Sequence, residues 1–207
     1  MKKRFFVAVF GFLLLISTFT GCFFLFNSSD PNVITDWYTE LSVGTVLTYR
    51  LTAYVNGNTQ DEYTYTETVM SNTTINGVRC MELYCDYPDS YSTIYILVDT
   101  EEGIIARSFD QELTAYDNRY FITPVSVGTS WDDAYGKKYE IKHVDSYSSV
   151  DAGEYNDIIA VEGGEEGSEW YEFSQFSKSL NTFVFNRYDM ILGSDIYSDH
   201  IELISIE

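Results

Sequence analysis

The chain has 207 residues, 45% hydrophobic and 17% aromatic, with 32 acidic against 12 basic side chains and a net charge of −20. Such a surface repels phosphate backbones, which excludes nucleic acid as a partner, because phosphate contacts need cations. The 18 Tyr, 14 Phe and 3 Trp exclude a disordered chain, and the length suits one domain with a real core or two small halves.

The first element is a leader. Met1-Lys2-Lys3-Arg4 supplies three cations, and Phe5 to Phe19 follows without a charge. This is the order of a secretory signal, read over residues 1–21. Thr20-Gly21-Cys22 closes it with two small residues and a cysteine. The stretch Phe19-Thr20-Gly21-Cys22 resembles the lipobox of bacterial prolipoproteins, with Phe19 standing where an aliphatic residue is usual. The resemblance implies cleavage before Cys22 and attachment of acyl chains to it. Two or more chains at ~0.8 kcal/mol per buried CH₂ give stable anchoring. The alternative is an uncleaved membrane anchor, since Phe5 to Phe26 is 22 residues without a charge. Both readings place the body outside the cytoplasm, in the cell envelope. Residues 22–36 then form the anchored N-terminus and a polar tether, and 37–207 a β-rich domain.

In that domain the period is two. Leu47, Tyr49, Leu51, Ala53 and Val55 alternate with Thr48, Arg50 and Thr52. After Asn56-Gly57-Asn58 a second strand carries Tyr63, Tyr65 and Val69. A three-residue loop pairs Leu51 with Tyr63 and Tyr49 with Tyr65 on a dry face, leaving Thr52 on a wet one. Further strands are expected near 78–86, 91–98, 103–109, 119–123, 137–145, 154–162, 168–175, 181–187 and 196–206. Asn76-Gly77, Pro88-Asp89-Ser90, Glu101-Glu102-Gly103, Ala152-Gly153 and Gly163-Gly164-Glu165-Glu166-Gly167 separate them. No amphipathic helix is expected beyond a turn at Gln111–Tyr116. The fold class is all-β, an antiparallel β-sandwich or half-barrel of roughly ten to twelve strands.

Ser42-Val43-Gly44-Thr45 recurs as Ser126-Val127-Gly128-Thr129, which suggests two related halves, 41–109 and 125–186. On these segments the body resembles two-half, β-rich bacterial lipoproteins, and the resemblance implies an exported β domain without assigning chemistry.

Cys80 and Cys85 lie five apart on one strand, on opposite faces and roughly 16 Å from each other, so both are read as unpaired. His143 and His200 each have an acidic neighbour but no motif around them. Asp132-Asp133 points to opposite faces of a strand and so does not form a glycosidase pair. The acidic stretches Asp99–Gly103 and Glu162–Glu169 lack the spacing of a calcium loop. No catalytic, cofactor or metal residue is assigned, and Cys22 is the one modified site.

The excess of aromatics, Tyr84, Tyr87, Tyr91, Tyr95, Tyr135, Tyr139, Tyr147, Tyr155, Trp170 and Tyr171, can pave a sheet or grip a partner. The expected function is a non-enzymatic, membrane-tethered module that binds an unidentified protein or ligand through its sheet. The alternatives are a half-barrel carrier of an apolar ligand and a hydrolase with a dispersed acidic site.

Overall fold

The computed structural model describes residues 40–99, 104–108, 118–122, 124–133, 136–165 and 167–207. The chain separates at Pro31/Asn32, and every described residue falls in the unit Asn32–Glu207. The leader, Cys22, the tether, the turn at Gln111–Tyr116 and Tyr135 lie outside the described residues.

Period-two alternation produces strands throughout, and among the described residues there is no helix. The strands are β1 (Val46–Val55), β2 (Asn58–Ile75), β3 (Val78–Tyr87), β4 (Ser90–Asp99), β5 (Ile104–Ser108), β6 (Asn118–Ile122), β7 (Ser130–Asp132), β8 (Lys138–Val150), β9 (Gly153–Gly164), β10 (Trp170–Ser177), β11 (Thr182–Leu192) and β12 (Asp195–Ile206). They form one antiparallel sheet in the order β6-β5-β4-β3-β2-β1-β12-β11-β10-β9-β8-β7. Two meanders run outward from a central seam, where the first strand pairs with the last.

The sheet folds over on itself. One hydrophobic cluster takes Val69, Met81, Leu83 and Ile94 from β2–β4 and Ile141, Ile159 and Phe176 from β8–β10. These groups are separated in the sheet by β1, β12 and β11, so only curling brings their faces together. A second cluster joins Leu47 and Tyr49 to Ile158, Val184 and Leu203. Fully burying such a side chain contributes roughly 1.5–3 kcal/mol. The turn after β8 is pinned across the curl. Ala152 N donates to Leu203 O, and Arg50 bridges Asp151 at 2.9 Å and Glu202 at 2.6 Å.

The two Ser-Val-Gly-Thr segments make the same contacts. Gly44 N donates to Val69 O, and Val69 N to Thr45 O; Gly128 N donates to Ile141 O, and Ile141 N to Thr129 O. Gly44 and Gly128 have φ of 91° and 90°, a region that glycine enters without a steric penalty.

The first hairpin corrects the expected loop. Its turn is two residues, with Asn56 at φ 51° and Gly57 at φ 75°, the conformation that matches strand twist. Tyr49 still faces Tyr65 and Leu51 faces Tyr63, because a bulge beside Ala53 and Tyr54 leaves Gln60 unpaired. Thr52 is also not wet. It is 8% exposed and donates to Glu62 Oε2 at 3.3 Å. Cys80 and Cys85 are buried and neither is in a disulfide among the described residues, and only Cys85 joins the inner cluster.

Candidate functional site

The site grows from one row of residues across the inner face. Sheet register sets Trp131 on β7 opposite Tyr139 on β8, then Gly163 on β9, Glu172 on β10 and Tyr188 on β11. Gly163 makes this row work. A Cβ there would stand 2.6 Å from the Tyr139 ring and 2.9 Å from Trp170. Without one, Tyr139 lies across β9 and donates its hydroxyl to Glu172 Oε2 at 2.9 Å. Burial, followed by the charge of Glu172, holds the Tyr139 phenol well above its ordinary value, so it remains a donor. The other oxygen of Glu172 accepts from Asn186 Nδ2 at 3.0 Å. Asn186 also donates to Ser174 Oγ at 2.8 Å.

This network borders a cavity of about 280 Å³ between the facing halves of the sheet. Its apolar floor comes from Met81, Leu83, Ile94, Ile96, Val161 and Phe176. Its polar wall includes Glu67, Glu172, Ser174, Asn186 and Tyr188. Glu67 is 9% exposed and accepts from Cys85 Sγ at 3.8 Å. Tyr49 shares a 2.9 Å hydrogen bond with Thr182 and stacks on Tyr65 at 5.2 Å. At the rim, Lys137 Nζ sits 4.5 Å from the Trp170 centroid and 5.1 Å from that of Tyr188.

The outer face carries a second polar cluster. Asp189 is 8% exposed and accepts both Arg187 Nε at 3.1 Å and Nη2 at 2.5 Å, together with the Ser198 hydroxyl. Ser198 Oγ lies 3.3 Å from His200 Nε2. The order is acid, serine, histidine. A nucleophilic triad needs the histidine between serine and acid, so this group braces β11 against β12. Arg187 and Ser198 offset the desolvation of Asp189 and hold its pKa below the usual range. Burial, then Arg187, pushes that of His200 down.

The titratable residues singled out in the sequence do not converge. His143 is exposed on β8, while His200 packs between Tyr54 at 4.8 Å and Phe185 at 5.9 Å. Asp132 is exposed, and Asp133 closes its own loop by accepting Lys137 N at 2.7 Å. Among the described residues no group of His, Cys, Asp and Glu is arranged to hold a metal ion. The aromatics divide. Tyr95, Tyr139 and Tyr171 are buried, whereas Tyr84, Tyr91 and Tyr147 are exposed. Sequence reasoning missed Glu67, Glu172, Asn186 and Lys137. The available signal was Glu172 flanked by Tyr171 and Phe173, an acid at an inward step of an aromatic strand.

No protein-family model and no curated protein matches the chain. Among solved structures, it is similar to a proposed exported protein with a YmcC-like fold from Bacteroides fragilis NCTC 9343. The TM-score is 0.47 and identity 10%, over 83% of this chain and 99% of that one. It is also similar to a proposed lipoprotein from Parabacteroides distasonis ATCC 8503. There the TM-score is 0.43 and identity 13%, over 80% of this chain and 96% of that one.

Proposed function

We propose that the protein is an exported, membrane-tethered binding protein that holds a small amphipathic ligand between the facing halves of its sheet and does not transform it. The observation that carries this reading is the cavity of about 280 Å³, apolar on one wall and hydrogen-bonding on the other. Small-molecule sites are mostly apolar hollows with a few placed polar groups, typically of ~300–1,000 Å³. The volume here falls just below that range, which suits a short chain or a single ring system.

The neutral fluorophore N-phenyl-1-naphthylamine tests the cavity in a chain beginning at Asn32, a unit that keeps both hydrophobic clusters. Saturable one-to-one binding is expected, and Ile96→Phe, which fills the floor, should abolish it while the protein stays folded by circular dichroism. Undiminished binding in the filled variant sinks the reading. The tether rests on the leader and on Thr20-Gly21-Cys22. Cells fed labelled palmitate should label the full chain, and Cys22→Ala should remove the label. Label that persists in the variant rules the anchor out.

A further inference from the structure

We propose that the ligand of this cavity carries a cationic head, and that Lys137 is a resident occupant of the head-group position, displaced when the ligand enters. The inference rests on the cavity reading above and specifies its ligand class.

The first support is where Lys137 places its charge. The chain has 32 acidic side chains, yet among the described residues Lys137 forms no ion pair. Its ammonium instead lies over the rings of Trp170 and Tyr188, with Tyr188 Oη at 3.5 Å. A cation within ~6 Å of a ring centroid is attracted by the ring quadrupole, and aromatic cages of this kind recognise quaternary ammonium groups. Two rings within ~6 Å of one ammonium therefore mark a position suited to a cation. Tyr188 belongs equally to the cavity wall.

The second support is the charge of the lining. It contains two carboxylates, Glu67 and Glu172, and no Lys or Arg. A cation lowers the cost of keeping these groups out of bulk water. Glu172 faces Tyr188 directly across β10 and β11 and is held by Tyr139 and Asn186. A head group beside Tyr188 that reaches further into the cavity than Lys137 does would thus approach an oriented carboxylate, with its alkyl chain running over Met81, Leu83, Ile94 and Ile96. The third support is that Lys137 can leave. Asp133 fixes its backbone, while its four-carbon stem is flexible.

Three probes that share an eight-carbon chain separate the alternatives by calorimetric titration of the chain from Asn32: octyltrimethylammonium, octanoate and octanol. The ammonium should bind about tenfold or more tightly than the other two. Lys137→Gln, which removes the internal competitor, should tighten ammonium binding several-fold and leave octanol unchanged. Glu172→Gln should weaken it about tenfold. Tyr188→Leu, on the half-exposed rim, gives the same direction without touching the buried network. Equal binding of octanol or octanoate overturns the cationic head and leaves the cavity reading standing. Failure of all three probes to bind overturns the cavity reading itself. Unchanged or weaker ammonium binding in Lys137→Gln overturns the role of Lys137.

Discussion

Leu47 and Thr52 are both buried on β1, for different reasons. Leu47 is 0% exposed among Tyr49, Val184 and Leu203, so truncation opens a hole in the second cluster. Leu47→Ala should cost ~2–5 kcal/mol. Leu51 only packs against the margin of that cluster, and Leu51→Ala should fall below this range. Thr52 is covered from the outer face, and Thr52→Ala should cost about 1 kcal/mol, the usual worth of a hydrogen bond. Urea melts of the three variants give the ranking. A cost at Thr52 equal to that at Leu47 would contradict the face assignment.

His200 supplies a pH dependence whose sign follows from its surroundings. Burial and the Arg187 charge lower its folded pKa below the ordinary 6.5. The unfolded chain therefore takes up a proton first as pH falls. The associated stability is fully present above the unfolded value and is lost as pH falls through the folded one. Urea midpoints should decline as pH falls below the ordinary 6.5, and His200→Phe should flatten that decline. An equal decline in the variant would remove His200 as the cause.

At the scale of elements, Gly163 holds three strands in the geometry the site needs. An alanine there collides with the rings of Tyr139 and Trp170, both packed in or against the first cluster. Gly163→Ala should cost ~1–3 kcal/mol as an overpacking change. It should also perturb the near-ultraviolet dichroism of the displaced rings and weaken ammonium binding. A stable variant with unaltered spectra would show that the rings yield freely.

Most strands were legible because alternation survives tertiary packing, as in Leu47, Tyr49 and Leu51. β7 was not, since three residues are too few to show a period. Gly163 and Gly164 read as a turn because glycine has no side chain to alternate. They end β9 instead, under the ring of Trp170. On β8, three register shifts and a positive φ at Asp145 break the period after Ile141. The expected strand was accordingly cut short at 145. Bulges of this kind also blunt an unpaired edge against further pairing.

At the scale of the whole molecule, the sequence shows an all-β chain, and the structure shows one open sheet curled until its halves share a core. This is the half-barrel class that the sequence led one to expect; the strand order was not legible, because it depends on the pairing of β1 with β12, which lie at opposite ends of the domain. No local pattern encodes that contact. A cavity belonged to the half-barrel alternative, but its lining was hidden for the same reason. Met81 and Ile96 come from one half, Glu172 and Asn186 from the other, and nothing in their spacing says that they meet.

The same seam sets an order in time. Leu47 packs with Leu203, and Val46 exchanges both backbone hydrogen bonds with Glu207 just after β12. A chain made N-terminus first can pair β1 with β2 at once, but gives β1 its second neighbour only after β12 has been made. Until then one edge of β1 lacks its neighbour, so the two meanders are joined only late in synthesis.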